Sequence, residues 1–271
     1  MFGEILVALI VVAAVGLIAG ILLVLASHFF AVEVDETFTQ VRACLPGANC
    51  GACGFAGCDG YAEALAAGKV KANLCIPGAL EVVEKVSAVL GIEVVEGELK
   101  EESVAVVKCN GTCDAAPRKA IYDGLTSCRS ASALFGGEVA CRLGCLGCGD
   151  CAAACPKNAI SICNGIAHVD SDTCIGCGLC AKVCPKGIIA LIPRDSKQVV
   201  VCSNTEKGAV ARKNCKNACI GCKKCETNCP SDAIKVENNL AKIDYDKCTT
   251  CGTCVSNCPV KCIHEVDFAK A

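Results

Sequence analysis

The chemistry of this 271-residue chain is carried by cysteine, of which it has 29. Between Cys145 and Pro259 one pattern occurs four times: Cys145, Cys148, Cys151 and Cys155 before Pro156; Cys174, Cys177, Cys180 and Cys184 before Pro185; Cys219, Cys222, Cys225 and Cys229 before Pro230; and Cys248, Cys251, Cys254 and Cys258 before Pro259. Each reads C-x2-C-x2-C-x3-C-P. Three thiolates three residues apart can wrap one face of an iron-sulfur cube, while the fourth, set off by three residues and a proline, reaches a different cube.

The runs therefore work in pairs. Cys145 precedes Cys174, and Cys219 precedes Cys248, by 29 residues, and the pairs repeat at 74 residues, from Cys145 to Cys219. This is the self-similarity of a duplicated module, so two bacterial ferredoxin-like domains are expected. Crossed ligation assigns Cys145, Cys148, Cys151 and Cys184 to one [4Fe-4S] cluster and Cys174, Cys177, Cys180 and Cys155 to its neighbour. In the second domain the sets are Cys219, Cys222, Cys225, Cys258 and Cys248, Cys251, Cys254, Cys229. Zinc sites take two close cysteine pairs separated by a longer loop, not four cysteines in eleven residues closed by proline. A disulfide scaffold is disfavoured by the odd cysteine count and by the lack of a cleavable secretory signal.

A second group, Cys50, Cys53, Cys58 and Cys75, is interleaved with glycines at 47, 51, 54 and 57. Glycine tolerates positive φ at little steric cost and lets the backbone bend around a cluster, so a fifth cubane is expected there. A third group, Cys109, Cys113, Cys128 and Cys141, matches no short motif but offers ligands for a sixth, with buried free thiols as the competing reading. Five cysteines remain. Cys163 and Cys262, which the repeat does not duplicate, read as packing residues, and Cys44 is left without a role. Cys202 and Cys215 read first as free thiols, with pairing or ligand binding the open alternative. Cys262 and His264 make half of a histidine-ligated [2Fe-2S] pattern, but no second half follows.

These sites need elements to hold them. Ile5 to Leu25 is an uncharged apolar run that, at about 1.5 Å per residue, is long enough to span a bilayer as one helix, with Gly16 and Gly20 offering a close-packing face. The flanks, Glu4 on one side and Glu33, Asp35 and Glu36 on the other, do not set its orientation; reduced cysteines place the cluster domains in the cytoplasm. After Pro77 the spacing of Leu80, Val83, Val86 and Leu90 predicts a helix stopped at Gly91, and Val104 to Val107 reads as β. The fold class is α+β. The expected divisions are a transmembrane anchor over 1–28, an N-terminal [4Fe-4S] domain over 32–92, a connecting segment over 93–141 with the sixth site, ferredoxin-like domains over 142–195 and 219–271, and a basic connector over 196–218.

Each ferredoxin half has a small apolar core: Ala159, Ile160, Ile162, Ile188, Ile189 and Leu191 in the first; Ala233, Ile234, Val236, Ile263, Val266 and Phe268 in the second. Metal ligation must then supply much of the folding free energy. The net charge of −2 hides a polar layout. Residues 33–102 carry twelve acidic and five basic side chains, whereas 182–224 carry ten basic and two acidic. Within the latter, Lys207, Arg212, Lys213, Lys216, Lys223 and Lys224 form a candidate docking patch for an acidic electron carrier, a solvated connector being the plainer alternative. Nucleic acid is excluded as a partner by the slightly acidic whole and the absence of aromatic interleaving. The G-x-G-x-x-A match at Gly147 to Ala152 lies inside a ligand run and does not mark a dinucleotide fold. With no flavin, nicotinamide or substrate motif, the chain reads as a conductor without a catalytic site of its own.

The N-terminal apolar helix, the C-G-A-C-G-F-A-G-C segment from Cys50 to Cys58 completed by Cys75, and the ferredoxin-like repeats together resemble the B subunit of the Rnf complex, over essentially the whole chain. The resemblance implies an electron-transfer component of a membrane-bound ferredoxin:NAD oxidoreductase that couples electron flow to Na+ or H+ translocation. It also implies soluble ferredoxin as donor and other membrane and flavin-bearing subunits as partners. An iron-sulfur relay of a hydrogenase or formate dehydrogenase, or a non-redox protein whose clusters only hold the fold, are the alternatives.

Overall fold

The computed structural model describes residues 2–29, 36–92 and 102–268. The flanking Glu33 and Asp35, and the acidic segment 93–101, lie outside the described residues. Helix α1 (Phe2–Phe29) contains the apolar run expected from the sequence. Its continuously described side chains, residues 13–26, are all exposed. Among the described residues no helix is long and apolar enough to cross a membrane.

The N-terminal unit packs α2 (Glu36–Cys44), α3 (Cys58–Ala66), a 3-10 turn (Ala72–Leu74) and α4 (Ala79–Leu90) around Val41, Tyr61, Leu65 and Val86, all essentially solvent-free. The i, i+3/i+4 spacing of Val82, Val83 and Val86 puts one face of α4 inside. Gly91, at φ +65°, supplies the left-handed C-cap that ends the helix where the sequence predicts. Tyr61 Oη donates to the carbonyl of Lys71 at 2.8 Å and accepts the N–H of Leu74 at 3.2 Å. The buried phenol thus fixes the turn that delivers Cys75.

The rest consists of two copies of one module. The first has β1 (Ser103–Val107), α5 (Cys128–Ala133), α6 (Asp150–Ala153), a hairpin of β2 (Ile160–Cys163) and β3 (Ile166–Val169), α7 (Leu179–Val183) and β4 (Ile189–Pro193). The second has β5 (Gln198–Val200), α8 (Gly208–Asn214), α9 (Lys224–Thr227), a hairpin of β6 (Ile234–Glu237) and β7 (Leu240–Ile243), α10 (Thr253–Ser256) and β8 (Ile263–Glu265). The hairpins share one register: Ile160 faces Val169 and Ile234 faces Ile243, each position 74 residues from its counterpart. They turn at Asn164–Gly165 and Asn238–Asn239, all at positive φ as two-residue hairpin turns require.

Two segments expected as connectors belong to the modules. β1 lies in 93–141 yet pairs antiparallel with β4, Val107 opposite Ile189; β5 lies in 196–218 yet pairs with β8, Val200 opposite Ile263. The physical reason is edge satisfaction: the last strand of each module would otherwise leave its backbone donors and acceptors unpaired beside an apolar core. Of the expected core, Ala159, Ile160, Ile188 and Ile189 are buried, as are Ala233, Ile234, Ile263 and Phe268, whereas Ile162 and Leu191 reach the surface at 36% and 38% exposure. In both modules the apolar side chains are interleaved with buried cysteines.

Candidate iron-sulfur centres

Each C-x2-C-x2-C run is a loop that ends in one turn of helix. A glycine or lysine at positive φ stands just before that turn: Gly149, Gly178, Lys223 and Gly252. The left-handed residue turns the loop into the short helix that carries the third cysteine of the run. Gly147 and Gly176 occupy positive φ for a second reason. A Cβ on Gly147 would stand 2.5 Å from the carbonyl oxygen of Gly165, and one on Gly176 2.3 Å from that of Ser103.

Cysteines from different runs line common cavities. One cavity is lined by Cys145, Cys151 and Cys184; another by Cys219, Cys222, Cys225 and Cys258; a third by Cys229, Cys248, Cys251 and Cys254. Cys180 lies within electrostatic reach of Cys174, Cys177 and Cys155, and Cys75 within reach of Cys58, Cys50 and Cys53. Backbone N–H groups point at these sulfurs: Ala105 and Gly176 donate to Cys174 at 3.5 Å, Ala159 to Cys155 at 3.4 Å and Ala233 to Cys229 at 3.3 Å. Such donors favour a charged sulfur, whereas burial alone disfavours it. Burial nevertheless pushes the Cys75, Cys151, Cys180 and Cys225 thiols up to about 11. Cys219 and Cys258 shift the other way, to about 6 and about 5, each first through a hydrogen bond with Cys262; every ligand binds iron as the thiolate, so loading a cage releases whatever thiol protons remain. The donor sets fit cubanes. Each set offers four cysteines, the donor type and number that a [4Fe-4S] cluster takes.

The third cysteine group behaves differently from the sequence expectation. Cys113 and Cys128 do not join Cys109 and Cys141. The N–H of Cys113 is tied to the carbonyl of Asn164 at 3.0 Å, over the β2–β3 turn, and its thiol is exposed. Cys128 begins α5, where the Asp150 carboxylate accepts from Ser127 Oγ and from the N–H groups of Cys128 and Arg129 at 3.0 to 3.2 Å. That cap pins Cys128 into the cavity of Cys145, Cys151 and Cys184 and against Cys148, whose thiol is pushed up to about 12, first by burial and then by Cys128. Cys141 instead has Cys202 and Cys215 as its cysteine neighbours. The signal that could have found Cys215 is the 74-residue repeat, which carries Cys141 onto it. Cys262 is likewise no simple packing residue: its sulfur is 3.7 Å from that of Cys258 and its N–H donates to the same atom at 3.4 Å. Cys44 behaves as a helical thiol, donating to the Gln40 carbonyl at 3.3 Å.

The N-terminal unit meets the first module at its cluster cage. Cys50 lies within electrostatic reach of Cys177, and Lys182 Nζ donates to the carbonyl of Gly51 at 3.3 Å. Arg194 closes the far side of the same cage, donating to the carbonyls of Cys174 at 2.7 Å, Ser171 at 2.9 Å and Phe268 at 3.1 Å. Lys207, Arg212, Lys213, Lys216, Lys223 and Lys224 are all exposed, on and around α8 and beside the exposed Cys222.

Family comparisons agree with this organisation. An Fe-S cluster family matches residues 45–77, and 4Fe-4S dicluster domain families match 144–188, 173–234 and 213–265. The chain is 44% identical over 258 residues to the B subunit of the Na(+)-translocating ferredoxin:NAD(+) oxidoreductase complex of Acetobacterium woodii, covering 94% of this chain and 77% of that protein. It is 44% identical over 244 residues to the B subunit of the proton-translocating ferredoxin:NAD(+) oxidoreductase complex of Clostridium ljungdahlii, covering 89% and 85%. The B subunit of the ion-translocating oxidoreductase complex of Methanosarcina acetivorans is 39% identical over 240 residues, covering 88% and 90%.

Proposed function

The chain belongs to the B-subunit family of Rnf-type ion-translocating ferredoxin:NAD oxidoreductases, and from that premise we propose that it takes electrons from reduced soluble ferredoxin and relays them toward the flavin-bearing and membrane subunits of such a complex. Electron transfer is its role; NAD reduction and Na+ or H+ movement belong to its partners. Bound in the cages, [4Fe-4S] clusters supply reversible one-electron chemistry. The protein's own part is to hold the cages side by side, exclude water from them and set their potentials through N–H donors to sulfur.

The observation that carries this reading is the continuity of the thiol cages. Cys50 of the N-terminal unit neighbours Cys177, and α6 delivers Cys151 to one cage while Cys155, just past its end, serves the next. The exposed basic patch around α8 is the docking face for an acidic carrier. Helix α1 serves as the membrane anchor in this reading, supported by the uncharged run from Ile5 to Leu25 and by exposed Leu23 and Val24 at 71% and 67%. Apolar on all sides, it meets lipid around its circumference, with the cluster-bearing units on the cytoplasmic side.

Replacing Cys145 by Ala tests the relay. Ferredoxin-dependent NAD reduction by membranes should fall to background while the chain stays in the membrane fraction. A rate equal to wild type would overturn it.

A further inference from the structure

Cys109, Cys141, Cys202 and Cys215 form a fifth thiol cage within the two-module body, built by both modules together. Cys215 has Cys109 and Cys202 as neighbours, Cys141 has Cys202 and Cys215, and a Cβ placed on Gly111 would meet the sulfurs of Cys109 and Cys215 at 3.5 and 3.6 Å. The two modules contribute equivalent positions. The N–H of Lys108 donates to the carbonyl of Ile188 at 2.7 Å, and that of Val201 to the carbonyl of Cys262 at 2.8 Å. Ile188 and Cys262 are repeat partners, so Cys109 and Cys202, the next residues along, are partners too. Cys141 and Cys215 each stand four residues before the first cysteine of their module's first run. The cage therefore lies on the pseudo-twofold relation between the modules.

Its sulfurs are dressed as those in the other cages are. Cys109 accepts from the N–H of Gly111 at 3.4 Å, and Cys202 from that of Asn204 at 3.4 Å, the same i+2 geometry that Cys174 makes with Gly176. The N–H of Leu143 serves Cys141 and that of Asn217 serves Cys215. Asn204, only 2% exposed, adds its side-chain amide to the Cys141 sulfur at 3.6 Å. Loops from the two modules are laced around the cage by Asn217 Nδ2 donating to the Asn110 carbonyl at 2.8 Å and by the N–H of Lys216 donating to that of Ala115 at 2.9 Å. A free structural thiol needs no such set of donors.

We propose that Cys109, Cys141, Cys202 and Cys215 hold a [4Fe-4S] cluster that bridges the two ferredoxin-like modules. Loading it removes four thiol protons. Its place in the relay follows from two equivalent contacts: the N–H of Cys145 donates to Cys109 Sγ, and that of Cys219 donates to Cys202 Sγ, both at 3.3 Å. The bridge thus touches the first cage of each module, and joins two pairs of centres into one line. This inference rests on the reading that the other cages hold cubanes.

The test is iron and sulfide content of the full chain purified anaerobically, with potentials read by EPR-monitored redox titration. Wild type should contain about 24 irons per chain, from six four-iron clusters. Cys215→Ala and Cys141→Ala should each lose about four and retain the rest, whereas Cys113→Ala should match wild type. Asn204→Ala keeps all four thiols and should keep its iron, but should move one midpoint potential to more negative values and leave the others in place. Wild-type iron in Cys215→Ala, or unmoved potentials in Asn204→Ala, would overturn the bridge. An iron-free wild type would instead overturn the relay as a whole.

Discussion

Arg194 donates to the carbonyl of Cys174 at 2.7 Å from a side chain that is 12% exposed, and the same guanidinium reaches Ser171 and Phe268. One planar fork therefore closes the loop that starts the second cysteine run against the C-terminal segment. Removing it as Arg194→Ala should leave partly buried carbonyls without donors, at a cost of about 3 kcal/mol. Arg194→Lys should recover only part of that, because an ammonium cannot span three diverging acceptors. Anaerobic denaturant titration followed at the cluster absorbance checks both.

Crossed ligation makes a quantitative prediction about double variants. Cys184→Ala and Cys145→Ala open the same cage, so the pair together should lose about four irons, whereas Cys184→Ala with Cys174→Ala opens two cages and should lose about eight. Iron quantitation distinguishes this from uncrossed sets, which would reverse the two results.

The loop glycines of the cluster cages differ in what surrounds them. Gly176→Ala combines positive φ with a Cβ thrust onto the Ser103 carbonyl of β1, so about 3 kcal/mol of destabilisation is expected from backbone conformation and overpacking together. Gly54→Ala, at φ +91° with open space around it, should cost only about 1 to 2 kcal/mol. Thermal loss of visible absorbance under anaerobic conditions ranks the two.

Cys262 occupies the position that Ile188 holds in the first module, and its sulfur lies against that of Cys258. A thiol there donates a weak bond to a ligand, which the first module lacks. Cys262→Ala should keep the iron and lower the potential of the Cys219, Cys222, Cys225, Cys258 centre by on the order of 20 mV, the equivalent of a weak bond of about 0.5 kcal/mol. EPR-monitored titration reads the shift.

If the α8 patch receives an acidic carrier, the reduction rate should fall with ionic strength, and Lys213→Glu with Lys216→Glu should flatten that dependence while leaving iron content intact. Stopped-flow mixing with reduced ferredoxin at several salt concentrations measures it.

How much of the fold and its centres is legible in the sequence depends on how far each signal reaches along the chain. The cysteines that line the cavities of both modules are legible because most of them belong to short runs of fixed spacing that recur along the chain. Gly91 announces its cap because one residue after the last apolar position is enough. The strands β1 and β5 are harder, since Val104 to Val107 shows β character but its partner, β4, lies beyond two cysteine runs. Cys128 looks like a companion of Cys141 because it is near in sequence; the Asp150 cap that turns it into another cage is a tertiary contact. Cys109 and Cys202 are hidden for a third reason. The segment between β1 and the first run is longer than that between β5 and the third, so the 74-residue offset that links Cys141 to Cys215 misses them.

The pairing of β1 with β4 has a consequence for how the polypeptide is made. A strand that emerges from the ribosome at residue 103 cannot complete its pairing until residue 193 has been synthesised, and during that interval thirteen cysteines, from Cys109 to Cys184, are already present in the nascent chain. Over that stretch of synthesis the first module stays open at one edge, with its thiols exposed to iron and to one another before the strand that closes it has been made.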